Sequence, residues 1–211
     1  TETLAYAMSD SPYGPFEFKG LIMKESPTGC WTNHHSIVEY GGQWYLFYHH
    51  NDYSPSFDKN RSVCCDSLFF NADGTIREVI PTRRGVGITK ATSKIHIDRY
   101  TSIQGAAIDY IDINTPFDGW KTIFAKQGDS VTYNSVDFGK GVKKITFGII
   151  KSNGAKLSVY ADGKKIAAID MAHAEVRSEL TVKMTADISG IHHISVELES
   201  GDAEIDWISF K

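Results

Sequence analysis

The stretch that decides the fold class is residues 36–49, which read SIVEYGGQWYLFYH. Two runs rich in β-branched and aromatic side chains flank Gly41-Gly42. A glycine pair between two such runs is typical of a tight two-residue hairpin turn. The pattern therefore predicts two antiparallel strands, Ser36–Tyr40 and Gln43–His49.

Most of the chain repeats this pattern. Short β-branched and aromatic runs alternate with turns rich in Gly, Asn and Asp, and no long segment has apolar residues at the helical spacing i, i+3, i+4, i+7. The sequence therefore predicts an all-β protein. Further strands are predicted at Leu4–Met8, Phe16–Met23, Arg61–Phe70, Ile76–Ile80, Lys94–Asp98, Ser130–Val136, Lys144–Ile150, Lys156–Ala161, Lys165–Asp170, Leu180–Met184, Gly190–Leu198 and Ala203–Phe210, with Trp207 buried.

The composition is that of a folded globular protein. Of the 211 residues, 41% are hydrophobic and 23% are charged, a balance that excludes an intrinsically disordered chain. No apolar run approaches the ~18 residues of a membrane-spanning helix, so no membrane partner is expected. The formal net charge is −4, and neither half offers the basic surface that nucleic-acid binding requires.

A connector divides the chain into two parts. Residues 81–87, PTRRGVG, interrupt the strand pattern with a proline, two glycines and charged side chains. We therefore expect one domain over residues 1–87, connector included, and another over residues 88–211. The closely spaced strands of the second part predict a β-sandwich or jelly roll. The first part starts at Thr1 as though a strand were already under way, so we expect further chain before it.

The first part resembles glycoside hydrolase family 43. Residues 4–18, LAYAMSDSPYGPFEF, resemble a Tyr-Ala and Gly-Pro segment of that family. Residues 31–38, WTNHHSIV, resemble its late histidine motif, and residues 42–49 resemble the hairpin that follows. Residues 61–66, RSVCCD, and 71–76, NADGTI, resemble its closing strands. The order of these five motifs makes the resemblance fairly specific.

The second part is similar to a family 6 carbohydrate-binding module. The matching blocks are KQGDSVTY at 126–133, VDFG at 136–139, GIHH at 190–193 and IDWI at 205–208. A hydrolase followed by such a module is a common arrangement in the family, and together the two resemblances span almost the whole chain.

These resemblances imply a five-bladed β-propeller, of which residues 1–87 would form the last blades plus the connector, followed by the sandwich. They also imply hemicellulose hydrolysis of the β-xylosidase, α-L-arabinofuranosidase or arabinanase type, with inversion. The family's three catalytic carboxylates belong upstream of the motif at 4–18. Because an inverting glycosidase needs an acid and a base ~6.5–9.5 Å apart, we expect this chain alone to be inactive and assign it no catalytic residue.

Two residues of the first part match family positions that would contact substrate, and a third is a candidate by its side-chain chemistry. His34 corresponds to the late histidine, which faces the propeller axis and can touch a central calcium or a water; a structural, hydrogen-bonded histidine is the alternative. Arg61 corresponds to an arginine that reaches the sugar, although a surface ion pair would explain it too. Trp31 could stack on a sugar ring or pack in the core. His49 and His50 lack the ligand spacing of a zinc site.

The module resemblance also implies a structural calcium in the sandwich. Its acidic ligands correspond here to Asp98 and Asp206, but His96 stands where a further carboxylate is usual, and a histidine does not suit calcium. The usual sugar cleft looks eroded, because Ser130 replaces an aromatic residue and Glu204 replaces an asparagine. Candidates for an alternative aromatic platform are Tyr110, Trp120 and Tyr133.

Three readings follow from these observations. In the first, the chain is the C-terminal part of a secreted or periplasmic glycosidase that acts on plant oligosaccharide or polysaccharide. In the second, it is a non-catalytic carbohydrate-binding protein. In the third, it is a structural fragment that the N-terminal propeller portion would complete. We favour the first for the parent protein and the third for this 211-residue chain by itself.

Overall fold

The computed structural model describes residues 2–26, 29–53, 59 and 61–211. The polar residues at 51–60 also predict a loop between the strand that ends at His49 and the strand that begins at Arg61, and this segment lies partly outside the described residues. The chain divides into two compact units, Thr1–Val86 (unit 1) and Gly87–Lys211 (unit 2). The division falls within the segment predicted as a connector. No described helix is long and apolar enough to cross a bilayer.

Among its described residues, unit 1 contains two antiparallel sheets. Strands β1 and β2 form one sheet, and β3, β4 and β5 form the other in that order. A small core includes Leu4, Ile22, Leu46 and Leu68. The strands are β1 (Leu4–Met8), β2 (Glu17–Met23), β3 (Ser36–Tyr40), β4 (Gln43–His50) and β5 (Ser62–Leu68).

The hairpin predicted at residues 36–49 is present. Tyr40 pairs with Gln43 across Gly41-Gly42, and both glycines have positive φ, of 60° and 79°. Glycine populates such values at no steric cost because it lacks a Cβ. The five predicted strands up to residue 70 are confirmed within one or two residues at each end.

The strand predicted at Ile76–Ile80 is wrong. Only an isolated bridge joins Ile76 to Phe70. The backbone of this segment then divides its hydrogen bonds between two partners: Arg77 N donates to Phe69 O, whereas Val79 N donates to Ile22 O. A ladder needs successive bonds to one neighbour, and this segment switches neighbours instead.

Unit 2 is a sandwich of two sheets. One sheet has the order β15-β12-β17-β10-β9, with β7 also on β17; the other has the order β14-β13-β16-β11-β6, with β8 also on β11. All pairings are antiparallel except that of β6 with β11. The strands are β6 (Thr89–Lys90), β7 (Ile95–His96), β8 (Ser102–Gln104), β9 (Ala107–Tyr110), β10 (Trp120–Phe124), β11 (Ser130–Asp137), β12 (Val142–Ser152), β13 (Lys156–Ala161), β14 (Lys164–Asp170), β15 (Ser178–Ile188), β16 (Ile191–Ser200) and β17 (Ala203–Phe210), with a short 3₁₀ turn at Pro116–Asp118.

The core of unit 2 lies between the two sheets. Phe147 of β12 and Ile205 of β17 come from one sheet, and Val159 of β13 and Val196 of β16 come from the other; all four are fully or almost fully buried. Trp207 is buried as predicted, with 5% of its surface exposed. Its strand, β17, lies between β12 and β10, so neighbouring strands protect both of its edges.

The short strands of unit 2 were the least predictable. The run Lys94–Asp98 supplies only the two-residue strand β7, and β6, β8, β9 and β10 were not predicted. Apart from β10, these strands have two to four residues, too few for an alternating pattern to be recognised.

Candidate functional site

The first candidate site is a shallow cavity of about 200 Å³ at one end of the β3-β4-β5 sheet. It is lined by His34, His35, Ser36, Phe47, Tyr48, His49 and Val63. His34 precedes β3 and is exposed, and its ring meets the ring of His49 edge-on, with 6.2 Å between centroids. His49 is fixed in turn, because its backbone N donates to Asn33 Oδ1 at 3.1 Å. The sheet thus presents imidazole groups beside apolar surface.

Trp31 and Arg61 do not line this cavity. Trp31 is 49% exposed, and the ammonium of Lys59 lies 4.9 Å from its ring centroid, a cation–π contact. Arg61 is exposed and directly precedes β5. Because both side chains are exposed, they are accessible to a ligand. The structure assigns neither of them a substrate, so their role in substrate binding stays a prediction.

A buried polar cluster beside this cavity was not anticipated. His50 Nδ1 accepts a hydrogen bond from Asp52 N at 3.2 Å, and Arg83 from the connector forms an ion pair with the Asp52 carboxylate. Burial, assisted by the positive charge of Arg83, lowers the pKa of His50 to about 3. His50 is therefore neutral at physiological pH, and the sequence carried no signal that would place Arg83 against it.

A second buried network ties the connector to β5. The Asp66 carboxylate accepts hydrogen bonds from Tyr48 Oη at 2.6 Å, from Thr82 N at 2.9 Å and from Thr82 Oγ1 at 2.7 Å. Burial is the main cause that raises the pKa of the Tyr48 hydroxyl, which therefore stays a donor. The network fixes the start of the connector on the sheet.

The two carboxylates expected to bind calcium in unit 2, Asp98 and Asp206, are near enough to interact electrostatically. Asp206 of β17 is 3% exposed, and its Oδ1 lies 3.0 Å from Nδ1 of His96, on the neighbouring strand β7. Its Oδ2 receives the guanidinium of Arg177, a residue that sequence reasoning did not single out. Asp98 is 2% exposed, and burial raises its pKa to about 6.

This arrangement does not fit calcium. A calcium ion takes six to eight oxygen ligands, whereas both oxygens of Asp206 already face nitrogen donors of the chain. Burial works to raise the pKa of Asp206, but His96 and Arg177 together hold it below its usual value. Over the part of the chain that the structure describes, no three His, Cys, Asp or Glu side chains are grouped as a metal site.

The residues at the predicted sugar cleft are also occupied by contacts within the chain. Glu204 forms an ion pair with Lys121 at 2.8 Å. Tyr110 and Trp120 stack on each other at 4.1 Å between centroids, so each ring uses one face internally. Tyr133 packs against the core. All three candidate rings and Glu204 therefore make contacts within the chain.

Comparison with known proteins gives two kinds of relative, although no family model matches the chain. It is 48% identical over 81 residues to a β-xylosidase of Xylanibacter ruminicola, a match that covers 37% of this chain and 24% of that protein. It is 25% identical over 188 residues to an arabinoxylan arabinofuranohydrolase of Bacillus subtilis, covering 80% of this chain and 36% of that protein. The chain thus spans about a quarter to a third of these relatives.

Solved structures show the same two folds. A glycoside hydrolase family 43 arabinoxylan arabinofuranohydrolase from Bacillus subtilis, in complex with cellotetraose, superposes with a TM-score of 0.59 at 22% identity, over 98% of this chain and 47% of that chain. The module CsCBM6-3 from Clostridium stercorarium, in complex with cellobiose, superposes with a TM-score of 0.54 at 22% identity, over 59% of this chain and 97% of that chain. The chain therefore fits the C-terminal part of a glycoside hydrolase family 43 protein, a partial propeller, followed by a sandwich of the family 6 carbohydrate-binding type.

Proposed function

We propose that the protein to which this chain belongs is a hemicellulose-degrading glycosidase of the xylosidase and arabinofuranosidase type, acting with inversion. The observation that carries this proposal is the 48% identity over 81 residues with a β-xylosidase. The broader match to an arabinoxylan arabinofuranohydrolase supports the same substrate class. Secretion or export to the periplasm belongs to this proposal, because polymeric hemicellulose lies outside the cell.

We further propose that the chain alone does not catalyse the reaction. Two largely buried carboxylates described in unit 1 are already engaged, Asp66 by Tyr48 and Thr82, and Asp52 by Arg83. Neither is placed as the free acid or base that inversion requires. The N-terminal propeller portion would supply both groups and is the partner that this proposal demands.

Within that active site, His34, Arg61 and Trp31 would bind substrate rather than react with it. His34 opens onto the cavity, Arg61 carries five fixed donors for sugar hydroxyls, and Trp31 offers an aromatic face. A calcium ion at the propeller axis near His34 belongs to the same proposal.

The test is a paired assay with 4-nitrophenyl β-xyloside and α-L-arabinofuranoside. We expect no turnover by the 211-residue chain and turnover by a longer protein that includes the upstream propeller portion. In that longer protein, Arg61→Ala should raise KM more than it lowers kcat, whereas Arg77→Ala, at a residue outside the site, should change neither. An inactive longer protein would contradict the proposal.

A second function, carbohydrate binding without catalysis, is favoured by the sandwich fold. The solved modules that share it are complexes with cellobiose and with xylose. Titration of the chain with xylo- and arabinoxylo-oligosaccharides tests it: saturable binding that Tyr110→Ala abolishes would support it. We expect weak or no binding, because Glu204 forms an ion pair with Lys121 and position 130 holds a serine instead of an aromatic residue.

A further inference from the structure

The Asp206 carboxylate is a buried negative charge that needs compensation. It lies on the central strand β17, between Ile205 and Trp207, and its side chain is 4% exposed. Moving an uncompensated carboxylate out of water is costly, so such a group is normally paired with a cation or a metal ion. The group that supplies the compensating positive charge therefore contributes to the stability of unit 2.

The compensating groups come from two distant segments of the chain. His96 belongs to β7 and lies directly opposite Trp207 in the strand register, with its Nδ1 on Oδ1 of Asp206. Arg177 ends the loop between β14 and β15, and its Nη2 contacts Oδ2. The Asp206 carboxylate thus links three segments. It belongs to β17, its Oδ1 contacts His96 of β7, and its Oδ2 contacts Arg177 of the loop between β14 and β15.

These two side chains also cover the carboxylate on its solvent side. Arg177 is 57% exposed and His96 is 49% exposed, while Asp206 beneath them is buried. An ion arriving from solution would have to displace the guanidinium from Oδ2 to reach an oxygen. Its charge would in addition be repelled by the arginine, which is always protonated.

We propose that Arg177 is the built-in cation of unit 2: it occupies the coordination position that a calcium ion would need at Asp206, so that the sandwich is stabilised without metal. His96 completes the replacement by taking the second oxygen. All residues involved lie in unit 2, so the inference does not depend on the glycosidase proposal. Removal of Arg177 should expose a latent site for a hard divalent cation, formed by oxygens of Asp206 and Asp98.

The experiment measures how calcium changes the melting temperature of the full chain, and how much of that change depends on Asp206. Four proteins are compared in calcium and in EDTA: the unaltered chain, Asp206→Asn, Arg177→Gln and the double variant Arg177→Gln/Asp206→Asn. Subtracting the Asp206→Asn response in each background removes any calcium effect that arises elsewhere in the chain. Lys183→Gln removes an exposed positive charge from β15 and is the matched control.

We expect no Asp206-dependent calcium effect in the unaltered chain. Arg177→Gln should melt lower than Lys183→Gln, and calcium should raise its Tm by about 3 °C or more, an effect that Asp206→Asn abolishes. Isothermal titration of His96→Glu/Arg177→Ser, which adds a carboxylate and removes the guanidinium, should detect one additional bound calcium.

Two results would overturn the inference. One is an Asp206-dependent stabilisation of the unaltered chain by calcium, since the carboxylate would then bind metal despite Arg177. The other is an Arg177→Gln variant that melts like Lys183→Gln, because Arg177 would then not be the counter-ion. If Arg177→Gln does not fold, Asp206→Asn in the same background decides: refolding supports the inference, and failure to refold contradicts it.

Discussion

At the scale of single residues, the chain places its buried polar groups where they hold segments together. Asp66 joins Tyr48 to Thr82, and Asp206 joins His96 to Arg177. In both cases one carboxylate accepts from groups far apart in the sequence. Since an unpaired buried donor or acceptor costs more than a surface hydrogen bond contributes, these positions should be sensitive to substitution.

Asp66→Ala is expected to destabilise unit 1 by about 3 kcal/mol, because it leaves the Tyr48 hydroxyl and the backbone N–H of Thr82 without their shared acceptor. Urea unfolding measures the change. The control is Asp73→Ala, which removes an exposed carboxylate bonded to Thr75 and should cost much less. Equal losses for the two variants would contradict this reading of the network.

His192 is expected to make the stability of unit 2 depend on pH. Its Nδ1 faces Asp162 Oδ2 at 2.6 Å and its Nε2 faces Ser189 O at 2.7 Å, so only the imidazolium can donate to both. The Asp162 carboxylate first, and the Ser189 carbonyl second, raise the pKa of His192 in the folded state.

Because the folded pKa lies above the unfolded value of about 6.5, the stabilisation is fully present below that pH and is lost as pH rises through the folded pKa. Chemical unfolding at several pH values should therefore show a loss of stability with rising pH that is smaller in His192→Gln. Parallel pH profiles of the two proteins would contradict this.

At the scale of elements, β12 packs closely on β17 in unit 2. Gly148 pairs with Trp207, and a Cβ at this position would lie within 3.0 Å of three atoms of the indole ring. Glycine is required here because a side chain would collide with the indole, and not because the backbone adopts a conformation that favours glycine. No turn residues flank Gly148 in the sequence, so no local pattern marks this position.

Gly148→Ala should destabilise unit 2 by about 2 kcal/mol, because β12 or the indole must shift to admit the methyl group. Thermal unfolding measures this. The destabilisation by Gly148→Ala should be smaller when the Trp207 indole is absent, so a double-mutant cycle with Trp207→Leu provides the control. A penalty unchanged in the Trp207→Leu background would show that the contact with the indole is not its cause.

At the scale of the whole molecule, the two units differ in how much core they contain. In the described chain, the main cluster of unit 2 contains 28 buried residues and that of unit 1 contains eight. Unit 1 also exposes large apolar side chains, including Phe16, Phe18, Val63 and Phe69. Burial of apolar surface is the main source of folding stability, so the units should differ in stability.

We therefore expect two calorimetric transitions, with unit 1 melting first. Asp66→Ala should lower only the first Tm, and Gly148→Ala should lower only the second, which assigns each transition to its unit. A single transition shifted equally by both substitutions would contradict independent unfolding.

The long strands could be predicted from the sequence, because each carries a periodic pattern that its own residues display. Leu4–Met8, Ser36–Tyr40, Lys156–Ala161 and Ala203–Phe210 match the structure at both ends. The similarity to family 43 and to a family 6-type sandwich could also be predicted from the sequence, since local motifs carried both. Local sequence thus determined the fold class and the resemblance to these two families.

The tertiary structure alone decided the short strands and the partners of the buried charges. The short strand β8 is defined by its pairing with β11, and β9 and β10 by their place in the order β17-β10-β9 of the other sheet. Ile76–Ile80 does not form a strand because it divides its hydrogen bonds between two segments. Arg177 meets Asp206 across 29 positions of sequence, and no local pattern encodes such a pairing. Periodicity is a property of neighbouring residues, whereas charge compensation depends on which distant segments the completed sheets bring together.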